Sequence, residues 1–391
     1  MATLPKAEWT QRADLAKLVS ALGAGNVRWV GGAVRDTLRG VDVRDVDAAT
    51  PIAPQEVIAA CTRAGIRTAP TGIEHGTITV ILEGGPVEVT TLRKDVSTDG
   101  RRATVEFAEE WQEDAARRDF TINALYADPD TLEISDFFGG IDDLKAGRVR
   151  FIGDARDRIR EDHLRILRYF RFQARFGSEL DEEAEEACAD LAGSLQGLSR
   201  ERVGWELLAL LALPDPSETI ARMRKLGVLQ VVLPECTPHE IDTLHRLVVA
   251  ERAAQVEPDA IRRLAALLPA IPTIAESVTA RLRLSRKQRS RLVCVAARDT
   301  RDAGNPRALA YREGRACAID RLLIEGADIG PLPDWEAPEF PLRGGEIVAR
   351  GVSAGPAVAR IMQAVESRWI AAGFPDRDTV LQLLEDELGS I

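Results

Sequence analysis

The segment 27–50, Val-Arg-Trp-Val-Gly-Gly-Ala-Val-Arg-Asp-Thr-Leu-Arg-Gly-Val-Asp-Val-Arg-Asp-Val-Asp-Ala-Ala-Thr, sets out strand, turn, helix and strand in quick succession. A short apolar run over 27–30 reads as a strand that ends in Gly31-Gly32. The following 33–39 is compatible with a helix. Glycines between a strand and a helix start let backbone amides approach a phosphate, with the positive helix end facing it. Asp45 and Asp47 then stand one residue apart inside a second apolar run. In a strand such residues share a face, so the two carboxylates lie side by side. Taken alone, Gly31-Gly32 is also an ordinary turn, and the Asp pair is also an Asx-rich loop. Together, with Arg35 and Asp36 on the intervening helix, they suggest a phosphate cradle beside a paired-carboxylate Mg²⁺ site, the equipment of nucleotidyl transfer.

The rest of the chain bounds that reading. Its 391 residues suggest two or three domains, or one compact head with an elongated helical extension, and a 45% hydrophobic, 29% charged composition fits a soluble globular protein. No apolar run approaches the roughly 20 residues that span a bilayer, and residues 1–13 lack the apolar core of a signal peptide. Cys61, Cys188, Cys236, Cys294 and Cys317 show no metal-ligand spacing and read as idle or buried thiols of a reducing cytoplasm. No His-Asp doublet occurs, so no metal phosphohydrolase site is expected. The net charge of -11 is no footprint of nucleic-acid binding, although 148–175 and 281–291 run against the trend. Each of these basic runs also fits a solvated helix face.

In chain order, a helix is expected over 10–24 and another over 54–64. Strand signals follow at 77–82 and 86–92, with a Gly84-Gly85 turn between them. Residues 94–103 are polar, contain glycine and lack periodicity; a mobile loop is expected there. After Asp154 strand signals nearly vanish, and helical patterns cover 155–176, 181–192, 199–213 and 216–227. A Pro-rich connector spans 326–341, and final helices cover 356–373 and 376–388. The expected fold is α+β: a small mixed-sheet head over 1–145, a helical neck over 146–215, and an elongated helical body and tail over 216–391.

Glu88 lies in the apolar run Val87-Glu88-Val89, where it reads either as a third carboxylate at the metal site or as a solvent-facing strand residue. A second site is suggested by the pattern around 159–176, read as one helix. Asp162 and Arg165 are three apart on it and so share a face, which also fits a plain intrahelical ion pair. Leu164, Leu167, Phe170 and Phe172 argue that much of this helix is buried, where charges need partners or a purpose. A carboxylate beside a guanidinium offers an acceptor next to a donor. Cytosine and adenine present the complementary amine and ring nitrogen; uracil and guanine do not. A wrong base would leave buried polar groups unpaired, a penalty that can reach ~10⁴-fold.

Gly-Gly-Ala-Val-Arg-Asp, Asp-Val-Asp, His75-Gly76-Thr77, Glu88-Val89-Thr90-Thr91, Arg-Arg-Asp-Phe-Thr-Ile-Asn-Ala and Glu-Asp-x-x-Arg-x-x-Arg-x-x-Arg-Phe resemble, in order and spacing over about 25–210, the bacterial CCA-adding enzymes. These are class II tRNA nucleotidyltransferases of the polymerase β-like superfamily. The resemblance implies addition or repair of the 3′-terminal CCA of tRNA from CTP and ATP, by two-metal nucleotidyl transfer in the cytoplasm. It implies that Asp45 and Asp47 hold Mg²⁺, and that Gly31, Gly32, Arg35 and Arg118 bind the incoming nucleotide. Asp162 and Arg165 match the base-selecting pair, with Arg168 and Arg171 as further nucleotide contacts. On a straight helix, however, Arg171 would point away from Asp162, toward phosphate or a neighbouring helix. Residues 94–103, with Asp99-Gly100-Arg101, match a loop that helps the family switch from C to A addition.

No DNA or membrane partner is implied, and oligomeric state is not legible. The alternatives are a bacterial poly(A) polymerase, a non-catalytic RNA-binding protein on the same scaffold, and a nucleotidyltransferase acting on small molecules or proteins. The poly(A) reading would favour a basic C-terminal extension, which this acidic chain does not display. Intact Asp45, Asp47 and Asp162 speak against a non-catalytic protein.

Overall fold

In the computed structural model, residues 2–98 and 103–389 are described. The chain forms two units, Met1–Pro234 and Glu235–Ile391. The first is built on a seven-stranded sheet of order β3-β4-β5-β2-β1-β8-β9. Its strands are β1 (Arg28–Val30), β2 (Val46–Thr50), β3 (Arg67–Gly72), β4 (Thr77–Leu82), β5 (Gly85–Thr91), β8 (Leu125–Ala127) and β9 (Ile134–Asp136). A separate ribbon pairs β6 (Arg93–Thr98) with β7 (Ala103–Phe107). The sheet is mixed because β2 and β5 run parallel while the other neighbours are antiparallel.

Two-residue alternation sets the faces. Val87 and Val89 of β5, and Ile78 and Val80 of β4, are fully buried. The residues between them turn to the other face, where Glu88 stands opposite Asp47 in one register and Thr79 in the next. A slip of one residue would bury Glu88 and expose the valines, so the apolar pattern fixes this register. The helix Arg165–Phe176 joins the same unit through a cluster of aromatic rings. Phe151 lies 5.8 Å from Tyr169, and Phe120 lies 4.9 Å from Phe151 and 5.3 Å from Phe172.

The second unit is helical. Glu251 is buried between Arg262 and Arg263, accepting from their Nε atoms at 2.7 and 2.9 Å, and buried Asp320 accepts from Arg291 at 2.7 Å. The last two helices, Pro356–Ala371 and Arg377–Gly389, close over Val365, Trp369, Val380 and Leu384. No helix among the described residues is long and apolar enough to cross a membrane. A mixed-sheet head followed by helices agrees with the expected fold class.

Three expectations change. Residues 94–103, expected as a loop, belong largely to the β6–β7 hairpin; β-branched Val96, Thr98, Thr104 and Val105 favour extended backbone even where polar residues hide the alternation. Asp99-Gly100-Arg101 lie outside the described residues. The helix read through 159–176 is two helices, Ala155–Glu161 and Arg165–Phe176. Asp162 between them is extended (φ -146°, ψ 103°), its Oδ1 accepts from Leu164 N at 3.1 Å, and its carbonyl accepts from Arg165 N at 2.9 Å. An Asp side chain that competes for backbone donors ends one helix and starts the next. Cys294 and Cys317, expected as thiols, form a disulfide between the helices Arg286–Ala296 and Arg315–Ile324, whereas Cys61, Cys188 and Cys236 are free and buried.

Candidate active site

Asp45 immediately precedes β2 and Asp47 is its second residue, with Glu88 in register on the parallel neighbour. None of the three carboxylates has a hydrogen bond or ion pair among the described residues. Burial pushes the Asp47 carboxyl up to about 6; the charges of Glu88 and Asp45 add to this, and Arg118 opposes it. Glu88 is exposed and lies on the same face as Asp47. Among the described residues, no three His, Cys, Asp or Glu side chains already converge as a metal cage.

Gly31 and Gly32 follow β1, whose last residue, Val30, is in register with Asp47. Gly31 has φ +68°, a left-handed conformation that glycine adopts without strain. A Cβ on it would lie 3.6 Å from Arg118 Nη1, and one on Gly32 would lie 3.8 Å from Arg35 Nη2. Both guanidiniums thus lie within van der Waals reach of the turn. Arg118 is aimed from behind, donating Nε to the Tyr126 hydroxyl at 2.9 Å and Nη2 to Asp114 at 3.1 Å. Tyr126 in turn donates to Asp114 at 2.6 Å. Burial works against the Asp114 charge, but Arg118, the Tyr126 hydrogen bond and Arg117 bring its pKa below the usual carboxylate value. Arg35 donates to Asp36 at 2.9 Å and to Asn123 at 2.5 Å, and its guanidinium lies 4.5 Å from the Phe176 ring.

The base-reading candidates are arranged differently from the straight helix expected. Asp162 and Arg165 form no pair with each other. Asp162 Oδ2 accepts from Arg202 Nη2 at 2.7 Å, on the helix Arg200–Leu211. Arg165 gives Nη1 to Glu161 (2.6 Å) and the Arg158 carbonyl, and Nη2 to the Arg117 carbonyl. Because the helix breaks at Asp162, the direction of Arg171 does not follow from a straight helical count. Arg171 does reach a neighbouring helix, donating to Glu206 at 2.6 Å. Arg168 grips Asp119 through Nε and Nη2 at 2.8 and 2.5 Å. Burial disfavours the Asp119 charge, yet Arg168 and Asn123 outweigh it and hold the carboxyl at about 2.

A continuous run of polar interactions follows: Arg168 to Asp119, Asp119 to Asn123, Asn123 to Arg35, Arg35 to Asp36, and Asp36 to Arg175 at 3.1 Å. It ties the helix Gly32–Leu38 to the helix Arg165–Phe176. Sequence reading assigned no role to Asp119, Asn123, Arg202 or Glu206. Asp119 and Asn123 had a signal in their spacing, four residues apart inside Arg-Arg-Asp-Phe-Thr-Ile-Asn, whereas Arg202 and Glu206 are legible only through their partners in space.

Residues 27–150 match the family model described as the poly A polymerase head domain, and 177–239 match one described as a probable RNA and SrmB- binding site of polymerase A. The mitochondrial CCA tRNA nucleotidyltransferase 1 of Homo sapiens is 34% identical over 381 residues, 92% of this chain and 86% of that protein. The CCA-adding enzyme of Lacticaseibacillus paracasei is 30% identical over 366 residues, 89% of each chain. The crystal structure of the Bacillus stearothermophilus CCA-adding enzyme in complex with CTP superposes with a TM-score of 0.76 at 25% identity, covering 97% of this chain and 99% of that one. With identity and coverage of this extent, the chain belongs to the CCA tRNA nucleotidyltransferase family, also called CCA-adding enzymes.

Proposed function

We propose that this nucleotidyltransferase adds or repairs the 3′-terminal CCA of tRNA from CTP and ATP, without a nucleic-acid template and with release of pyrophosphate. The observation that carries the reading is the pairing of two features in one unit: unpartnered Asp45, Asp47 and Glu88 beside the Gly31–Arg118 turn, and a single carboxylate, Asp162, held out of helical conformation.

Asp45 and Asp47 hold the divalent cation in this reading, with Glu88 as the third carboxylate. The fit to Mg²⁺ rests on an all-oxygen donor set, on an Asp47 carboxyl raised by burial first and by the Glu88 and Asp45 charges second, and on the habit of Mg²⁺ of taking one or two carboxylates plus substrate phosphates. Bound there, the ion supplies Lewis-acid activation of the attacking hydroxyl and neutralises triphosphate charge. The side-chain-free turn at Gly31-Gly32 admits the triphosphate, and Arg118, Arg35, Arg168 and Arg171 fix its orientation. Asp162 accepts the exocyclic amine of C or A, and Arg165 donates to the adjacent ring nitrogen. Its Nε has no partner among the described residues, while Arg202 steadies Asp162. In this scheme residues 1–145 form the catalytic head, 146–215 the base-selecting neck and 216–391 the tRNA-binding body and tail, working in the cytoplasm.

The test is incorporation on tRNA lacking its 3′ end, with Mg²⁺ and each labelled nucleotide in turn. Two C and one A followed by a stop are expected, and Asp47→Asn should abolish turnover while tRNA still binds. A long A tail would make the protein a poly(A) polymerase instead.

A further inference from the structure

Of the six tryptophans, all but one are paired with another aromatic ring. Trp9 meets Trp29, Trp111 meets Tyr126, and Trp335 and Trp369 both meet Phe374. Trp205 is the exception. It is 73% exposed, and neither its ring nor its indole N–H has a partner among the described residues. The helix that carries it, Arg200–Leu211, is firmly seated: Val203, Leu207 and Leu210 are buried, Glu206 accepts from Arg171, and Arg202 donates to Asp162. An indole on such a helix has only two side-chain torsions, so covering its face costs little conformational freedom.

Trp205 follows Arg202 by three residues, so the two share a face about one turn apart. Since Arg202 holds Asp162, the ring stands one helical turn from the support of the base-reading site, on its solvent side. No other large apolar side chain of this helix is exposed. A protein partner would need about 800 Å² from each side, which one isolated indole does not supply. A single unpaired nucleobase fits it, because every base has a π face and stacks on an aromatic ring whatever its identity. Arg200 and Arg202, in the turn before the ring, place positive charge where the flanking phosphates would lie, while Glu201 sits at a helix N-terminus that favours an acid. The nucleotide met by Asp162 and Arg165 is read along its edge. The RNA end that receives it presents a different base from round to round: whatever precedes CCA, then C, then C. Holding that end calls for a platform indifferent to sequence.

We infer that Trp205 is the platform on which the 3′-terminal base of the tRNA stacks while the next nucleotide is selected beside it. This rests on the tRNA reading above and adds a positioning contact for the attacking end of the substrate.

The test uses the full chain and tRNA lacking CCA whose 3′-terminal base is aminopurine, a fluorophore quenched by stacking. The wild type should quench it on binding; Trp205→Ala should lose most of that quenching and Trp205→Phe should keep it. The ring is exposed, so both variants should melt with the wild type. By the usual worth of one base stack, KM for tRNA should rise about tenfold in Trp205→Ala and return toward the wild-type value in Trp205→Phe. KM for CTP and the preference for CTP over UTP should hold in both. Unchanged quenching and KM for tRNA in Trp205→Ala would overturn the platform. A rise in KM for CTP alone would overturn it too, by placing the ring against the incoming base, as would lost self-association with normal tRNA kinetics, which marks a protein contact. In each of these cases the wild type still adds CCA and the proposed function stands. A wild type that binds no tRNA and adds nothing to it would bring down the function itself, and the platform with it.

Discussion

Replacing Asp119 by Asn tests the polar chain that links the Gly-Gly turn to the arginine-bearing helix. Asp119 is buried, and its carboxylate accepts from Arg168 Nε and Nη2, from Asn123 Nδ2 and from the Phe120 amide. Its pKa falls from 3.8 to about 2 on folding, despite burial, because Arg168 and Asn123 favour the charged form. That difference corresponds to about 2–3 kcal/mol of stability at neutral pH. The Arg168 side chain is 32% exposed, and solvent screening there brings the expected cost to about 2 kcal/mol. The lowered value fixes the sign: the contribution is complete above about pH 5 and is lost as pH falls toward about 2. At about pH 3 the gap between wild type and Asp119→Asn should have shrunk to about half its neutral value. Urea titrations of the first unit, followed by hydrogen exchange of its sheet amides at pH 7, 5 and 3, measure the gap. A gap that stays constant with pH, or none at all, would refute the assignment of Asp119 as a charged anchor. Arg168 would also lose its charged anchor, and Arg35 the support that reaches it through Asn123, so KM for CTP should rise in the same variant.

Two further outcomes are expected. Arg202→Ala should lower the preference for CTP over UTP by about tenfold, an effect of roughly 1–3 kcal/mol. Its cost in stability should stay below ~1 kcal/mol, because the Asp162–Arg202 pair is solvent-exposed; kcat/KM for both nucleotides and a melting curve check this. Cys317→Ser opens a loop of 23 residues and should destabilise the second unit by about 3 kcal/mol, while thiol titration of the denatured wild type should count the three free cysteines, rising to four in the variant.

What was legible in the sequence follows from the range of the interactions involved. The alternation at 77–82 and 85–91, and the strand–turn–helix at 28–38, are local patterns, and they appear within a residue or two of where they were expected. The three-residue strands β8 and β9 were missed because so short an apolar run carries no period, and their extended form depends on pairing with β1 and with each other. The β6–β7 ribbon was hidden for the opposite reason: its residues are polar, and its form comes from cross-strand pairing. The helix break at Asp162 was masked by the continuous apolar spacing on either side. One side chain that captures a backbone amide decided it, and period counting does not register such a choice. Partners such as Glu206 and Arg202 are fixed by the packing of separate helices, which no local window contains.

The interruption at Asp162 has a consequence for how base choice is stored. On the proposed reading, the carboxylate that selects C and A sits at a joint between two helices and is steadied by an arginine 40 positions further along the chain. The information a polymerase normally draws from a template strand is here held as the angle of that joint. A substitution on the Arg200–Leu211 helix that touches neither nucleotide nor metal can therefore change which letters are accepted. Drift in selectivity among relatives should then be sought in the supports of the joint as much as in the residues that meet the base.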